Sequence, residues 1–278
     1  MRRDRRLDVS LVIFHSDLEV LRRTLESLRD ALLQGLNAGL LEQATVWLVD
    51  NGSDDPAAVD RLASGALATE GDWIGLTVLR GHGNVGYGAA HDLALAGPGG
   101  RWHLVLNPDV ELDPASIAEG LRFLEARPEV GLVTPHAVDA AGRRVFLCKR
   151  YPGLLVLGLR GFAPESVRRH YRSLLDHYQM RDLPEDEVAT GIPIASGCFM
   201  LARADALRSV GGFSPRYFLY FEDFDLSLRL NRVAAIAYVP TVRIVHLGGE
   251  AARKGLLHQR LFIRSALTFF STHGWKLW

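Results

Sequence analysis

Leu104-Val105-Leu106-Asn107-Pro108-Asp109-Val110-Glu111-Leu112-Asp113-Pro114 is the stretch that decides how this chain folds. An apolar run of strand character ends abruptly in carboxylates, and Pro108 and Pro114 keep either a strand or a helix from running on through them. In an open α/β sheet, ligands bind where the carboxyl ends of buried strands deliver side chains into a crevice. Asp109 is therefore the first candidate for a metal or phosphate-side residue. A surface turn is the competing reading, since Asn, Pro and Asp are ordinary turn formers.

Upstream, the same rhythm repeats. Val9 to Phe14 is a short β-branched apolar run followed by a polar turn at His15-Ser16-Asp17. Leu18, Leu21, Leu25, Leu28 and Leu32 then recur three or four apart, which predicts an amphipathic helix. Thr45 to Val49 predicts a second strand ending in Asp50, with Asp55 capping a helix opened by Pro56. Trp73 to Leu79 predicts a third strand, leading through the glycine-rich Gly81 to Gly88 into a short helix over Ala89 to Ala96; Trp102 to Leu106 is the fourth. Strands that do not alternate polar and apolar, separated by helices, predict an α/β fold with a mostly parallel central sheet covered on both faces.

Downstream, Ile117 to Leu124 predicts a helix and Val130 to Thr134 a strand. Residues 143–190 read as an insertion over one rim of the sheet, either a lid on the acceptor side or a membrane-contacting patch. Ile192 to Leu201 resumes strand character, Gly211-Gly212 stops a short helix, and Glu222, Asp223 and Asp225 open another, where carboxylates suit the helix dipole. Ala234 to Tyr238 and Val242 to His246 are expected as two closing strands. The expected division is a catalytic domain over 1–250 and a helical tail over 251–278.

Composition narrows the function. A chain of 278 residues that is 48% hydrophobic is long and apolar enough for an ample core. Lys+Arg and Asp+Glu balance at 32 each, which leaves no bulk positive charge to hold nucleic acid. Basic residues gather at the ends, at Arg2, Arg3, Arg5 and Arg6 and around Arg253, Lys254, Arg260 and Arg264, a pattern shared by membrane-visiting proteins and by solvated termini. The two cysteines, Cys148 and Cys198, form neither a ligand cluster nor a disulfide framework and read as core thiols of a reducing cytosol.

Asp50, Asp109, Glu222 and Asp223 suit a reaction with a phosphate leaving group. A divalent cation takes oxygen ligands such as Asp109, and His246 offers an imidazole suited to manganese. A satisfied strand-end histidine remains the alternative for His246, and an acidic first turn the alternative for Glu222-Asp223. The Gly81 to Gly88 loop lies outside the first strand-to-helix turn and lacks the Lys and Ser/Thr of a P-loop, so it matches neither nucleotide fingerprint; its glycines still allow close backbone approach. Ser196-Gly197-Cys198 is not a nucleophile elbow.

In order, Val12 to Ser16, Val49 to Asp55, Asn84 to Gly88, Leu106 to Asp109, and Ser196 to Leu201 continuing through Gly211-Gly212-Phe213 to Phe221-Glu222-Asp223-Phe224-Asp225 resemble a family 2 glycosyltransferase of the GT-A fold, in its rhamnosyltransferase-like branch. The resemblance runs from about Val9 to His246. It implies transfer of a sugar from a nucleotide diphosphate donor to a hydroxyl with inversion at the anomeric carbon. It implies Asp50 at the nucleotide base, Asn84, Asn107 and Asp109 on the donor side, and Asp109 with His246 on Mn²⁺ or Mg²⁺. Asp223 is implied as general base and Glu222 as its acceptor-side neighbour. The implied donor is dTDP-rhamnose ahead of UDP-sugars, and the implied acceptor a glycan or polyprenyl-linked glycan. The expected location is cytoplasmic, with peripheral contact at the inner face of the plasma membrane through the insertion or the tail. Asn107-Pro108-Asp109 lacks the first carboxylate of the metal motif, His15 stands where many relatives have Asn, and His91-Asp92 replaces an Asn-rich pair. A nucleotidyltransferase and a catalytically inactive nucleotide-sugar-binding scaffold are the alternatives.

Overall fold

A computed structural model describes residues 4–97, 99–248 and 255–278. Arg2, Arg3, Arg253 and Lys254 lie outside the described residues. The first half of the chain runs β1 (Arg6–Ile13), α1 (Leu18–Asn37), β2 (Gln43–Asp50), α2 (Pro56–Ala66), β3 (Ile74–Leu79), α3 (Tyr87–Leu95), β4 (Trp102–Leu106), β5 (Val110–Leu112), α4 (Ser116–Ala126) and β6 (Val130–Val138). The insertion contributes β7 (Arg144–Val145), β8 (Cys148–Lys149), α5 (Leu154–Phe162), α6 (Glu165–His170), α7 (Arg172–Tyr178) and β9 (Ala189–Thr190). The rest is β10 (Ile194–Ala195), β11 (Phe199–Arg203), α8 (Ala204–Ser209), α9 (Glu222–Leu230), β12 (Ala235–His246) and α10 (Leu256–His273).

Local chemistry explains the helix starts. The Asp17 carboxylate accepts from the Glu19 and Val20 amides and caps α1, whose Leu21, Leu25, Leu28 and Leu32 are fully buried against the sheet. Asp55 accepts from Ala58 N and Pro56 supplies the first helical position of α2. After β1, His15 sits at φ 46°, a left-handed turn conformation that Asn and His tolerate better than most residues, which rationalises His in a position where Asn is the usual choice.

The fold is α/β, with a mixed sheet flanked by helices in the order β3-β2-β1-β4-β11-β6-β12-β5. The block β3-β2-β1-β4 is parallel throughout, so Leu79, Asp50, Ile13 and Leu106 end at one edge. β11 reverses the direction between β4 and β6, and β12 runs parallel to β6 but antiparallel to β5. Strands buried on both faces, such as β4, carry the same apolar run in either orientation, so the sequence predicts a mostly parallel sheet without showing which strands reverse.

Two boundaries differ from expectation. The two closing strands are one, β12, whose register shifts between Val239 and Arg243 around Pro240; a bulge tolerates the missing proline N–H. The strand expected over Ile192 to Leu201 is two, because residues 196–198 turn between β10 and β11. The C-terminal segment packs onto the body. Phe269 and Phe270 cluster with Tyr217 and Phe221, His273 Nε2 lies 2.8 Å from Asp225 Oδ1, and the Leu154 and Leu155 amides donate to Lys276 O and Leu277 O at 2.9 Å.

Candidate active site

At the carboxyl edge of the parallel block, Asp50 is buried and fully engaged. It accepts from Gly52 N at 3.1 Å and Ser53 Oγ at 2.7 Å, and Arg80 Nη2 lies 3.3 Å away. Asn84 braces the glycine loop: its side-chain oxygen accepts from Gly86 N at 3.0 Å and from Asn51 Nδ2 at 3.4 Å. Gly86 is required there, since it has φ 89° and a Cβ would fall 2.3 Å from Phe218 O.

Asp109 follows β4 and meets the end of β12, where His246 is paired with Val110 and Leu247 N donates to Asp109 O at 2.8 Å. His246 Nε2 stands 3.5 Å from Asp109 Oδ1, a buried oxygen with no hydrogen-bond partner. A Cβ on Gly248 would lie 1.9 Å from Asp109 Oδ2 and 3.2 Å from His246 Nε2, so only glycine leaves room beside the pair. Among the described residues no group of three or more His, Cys, Asp or Glu gathers as a complete metal site. One carboxylate and one imidazole nonetheless fit a divalent cation whose remaining ligands are diphosphate oxygens and water.

Glu222 and Asp223 open α9 behind Tyr220 and Phe221, two consecutive non-glycine residues at φ 71° and 66°. Such backbone strain concentrates where a site needs a fixed geometry. Asp223 Oδ2 accepts from Gly197 N at 3.0 Å and Oδ1 from Phe224 N at 2.9 Å. Burial raises both carboxyls above their ordinary range. The two backbone donors and the nearby Lys149 ammonium oppose that rise at Asp223, whereas at Glu222 the Asp223 charge adds to it and Oε2 is buried without a partner. Of the two, Asp223 is the one built to carry charge.

Tyr87 joins the two carboxylate positions. Its hydroxyl lies 2.9 Å from Asn107 Oδ1 and 2.7 Å from Gly197 O, and Asn107 N donates to Cys198 O at 2.9 Å. Burial raises the phenol well above its usual pKa, and negative charge nearby, including that of Glu222, Asp223 and Asp109, adds to the rise. Through Asn107, Tyr87 and Gly197 a chain of hydrogen bonds links the loop that carries Asp109 to the turn that holds Asp223.

Asp223 and Glu222 line a cavity of about 660 Å³, walled also by Leu157 and Arg160 of α5, Tyr178, Tyr220, Phe221 and Phe224, and His258 and Phe262 of α10. The insertion and the C-terminal helix thus build one wall each. A second cavity of about 720 Å³, lined by Ser27, His136, Glu185 and Arg243, contains none of Asp50, Asp109, Glu222, Asp223 or His246.

Residues 10–211 match the model of the glycosyl transferase family 2. The chain belongs to that family. It is a glycosyltransferase of the GT-A fold, moving a sugar from a nucleotide-sugar to an acceptor. It is 30% identical over 233 residues to the N-acetylglucosaminyl-diphospho-decaprenol L-rhamnosyltransferase of Mycobacterium tuberculosis, a match spanning 78% of this chain and 71% of that protein. A shorter match, 40% identical over 58 residues and spanning 20% of this chain and 22% of the relative, links it to the rhamnosyltransferase WbbL of Escherichia coli. Among solved structures, the mannosyltransferase PcManGT from Pyrobaculum calidifontis in complex with GDP-Man and Mn²⁺ superposes with a TM-score of 0.57 at 16% identity, covering 98% of this chain and 76% of that one. GalNAc-T7 with UDP, GalNAc and Mn²⁺ gives a TM-score of 0.57 at 13% identity, over 88% of this chain and 43% of that one. At these identities the two structures establish the fold alone.

Within this glycosyltransferase, Asp50 and Asn84 lie along the edge of the parallel strands, Asp109 pairs with His246, and Glu222 and Asp223 line the cavity beside α5 and α10. Asn107 points its side-chain oxygen at Tyr87. The sequence reading missed Tyr87 and Lys149. A tyrosine three residues after an asparagine in a glycine loop carries no signal by itself, and its contacts emerge only when the end of β4 and the Gly197 turn are brought against it.

Proposed function

We propose that this protein is a metal-assisted inverting glycosyltransferase that moves rhamnose from dTDP-rhamnose to a hydroxyl of a polyprenyl-linked glycan, with Asp223 as the general base. The observation that supports the reading is the hydrogen-bonded link from Asn107, two residues before Asp109, through Tyr87 and Gly197 to Asp223, with the Asp109–His246 pair beside one end and a cavity opening at Asp223. The name of the Mycobacterium tuberculosis relative supports the choice of sugar and of a lipid-diphosphate-linked acceptor.

In this reading the Asp50 to Asn84 edge seats the nucleotide, and Asp109 with His246 faces the diphosphate. A bound Mn²⁺ or Mg²⁺ would offset the charge collecting on the leaving diphosphate. The acceptor hydroxyl enters from the α5–α10 cavity and gives its proton to Asp223, which Gly197 N and Phe224 N hold in place. The acceptor oxygen forms its bond to the anomeric carbon as the bond to phosphate breaks, and that electron pair departs with the nucleoside diphosphate. A single displacement from the face opposite the leaving group inverts the centre and needs no protein nucleophile. Glu222, protonated by its burial, is a neutral hydrogen-bonding neighbour for the acceptor.

The test is release of nucleoside diphosphate from a panel of dTDP-rhamnose, UDP-galactofuranose and UDP-hexoses, with Mn²⁺ and a polyprenyl diphosphate-linked N-acetylglucosamine. Acceptor-dependent release of dTDP is expected. Turnover confined to a UDP-sugar overturns the donor assignment, and turnover undiminished by chelation overturns the metal.

A further inference from the structure

α5 has the sequence LLVLGLRGF, with one charged residue in nine. Its Val156 and Leu159 are buried while Leu154 and Leu155 face outward, so the helix is apolar on its exposed side as well as its packed side. A surface helix ordinarily carries polar residues on its outer face, and one apolar all round calls for a second covering layer. The segment after α10 extends the same surface. It runs beside the start of α5 through the Leu154 and Leu155 amide hydrogen bonds, and it leaves Leu277 58% and Trp278 76% exposed.

Charge identifies what covers this face. Residues 256–278 carry Arg260, Arg264 and Lys276 and no acid, and residues 151–178 carry Arg160, Arg168, Arg169 and Arg172 against Glu165 and Asp176. Exposed leucine and tryptophan in two segments whose charge is mainly arginine and lysine, on a chain of zero formal net charge, complement a layer with an apolar interior and an anionic surface. No helix among the described residues is long and apolar enough to cross a membrane.

We infer that the α5 and C-terminal face docks flat on an anionic phospholipid bilayer, with Leu155, Leu277 and Trp278 entering the interfacial layer. The face adjoins the mouth of the Asp223 cavity, because α5 and α10 supply both: Leu157 and Arg160 line the cavity from α5, and Ile263, half exposed, lines it from α10. Docking then presents the cavity to an acceptor held in the bilayer, a role that rests on the reading of this cavity as the acceptor site; the docking itself does not.

Sedimentation with vesicles of phosphatidylglycerol and phosphatidylcholine, beside vesicles of phosphatidylcholine alone, tests it. The wild type should sediment with the anionic vesicles and release with rising salt. The L155S/L277S/W278S variant, altered only at exposed positions, should bind about tenfold more weakly with an unchanged thermal midpoint. The R260E/R264E variant should lose the preference for anionic vesicles. Nucleoside diphosphate release with a short water-soluble acceptor should be the same in the wild type and the first variant. Absence of wild-type binding, wild-type binding by both variants, or a dimer in sedimentation velocity that L155S/L277S/W278S dissolves would each overturn the inference. Vesicle binding without soluble-acceptor turnover would instead count against the transfer reading alone.

Discussion

The two ends of the proposed site are held differently. Around Asp50 and Asn84, polar atoms are well engaged: Asp50 has three partners, Asn84 braces Gly86, and the strands that lead to them pair in one continuous parallel block. On the proposed acceptor side, Glu222 Oε2 is buried without a partner beside Asp223, behind two residues in left-handed conformations and against a wall assembled from residues 143–190 and the C-terminal helix. A satisfied network holds a shape cheaply, while an under-satisfied one keeps reactive groups poised at the expense of stability. The contrast implies that damage to the first side should appear as lost binding or folding, and damage to the second as lost turnover with the fold kept.

The largest expected effect breaks the acceptor side. Asp223→Asn keeps an oxygen to accept from Gly197 N but removes the base, and turnover should fall roughly 10²- to 10⁴-fold. Its thermal midpoint should hold or rise, because a carboxylate that burial disfavours is gone. Unchanged turnover, read as nucleoside diphosphate release, would remove Asp223 from the chemistry. Gly248→Ala comes next. The new methyl cannot coexist with Asp109 Oδ2 at 1.9 Å, so Mn²⁺-dependent donor binding should weaken by about tenfold or more in calorimetry while circular dichroism stays native.

A third effect sharpens the contrast from the folding side. Ser10 Oγ lies 2.7 Å from His91 Nδ1 and 2.9 Å from His103 Nε2 beneath the parallel strands. Burial pushes the His91 pKa well down and that of His103 down to about 3. Both rings are neutral when folded and take up protons on unfolding, so stability is lost as pH falls from about 6.5 toward 3. Asp92, pushed up to about 6 by burial, and the raised carboxyls of Glu222 and Asp223 act in the opposite direction, so the histidine contribution is read as a difference between proteins. Between pH 7 and pH 4 the urea midpoint of His103→Asn should lose less, or gain more, than that of the wild type. The smallest effect belongs to Asp55→Ala, which removes the cap of α2 and should cost about 1 kcal/mol in denaturant unfolding with turnover intact.

The same contrast governs what the sequence made legible. The nucleotide side is assembled from strand-to-loop junctions, each announced locally by an apolar run ending in Asp50 or in Asn107-Pro108-Asp109, so its elements and edge could be read directly. His246 was legible for a similar reason, as a histidine closing a strand. The acceptor wall depends on contacts between α5, α9 and α10 that lie far apart in the chain, such as Tyr220 with His258 and Ser265 with Leu219. Local pattern reported α10 as a tail and residues 143–190 as an insertion, and could not say that they meet. The reversed direction of β11 was hidden because a fully buried strand looks alike in both orientations, and the two closing strands expected on either side of Pro240 are joined through a bulge into β12.

The central claim, a division of labour between Asp109 and Asp223 in the proposed site, is tested most directly by calorimetric titration of dTDP with Mn²⁺ into the wild type, Asp109→Asn and Asp223→Asn. The expected result is affinity weakened at least about tenfold in Asp109→Asn and unchanged in Asp223→Asn. Equal affinity in all three proteins, or a loss confined to Asp223→Asn, would contradict it.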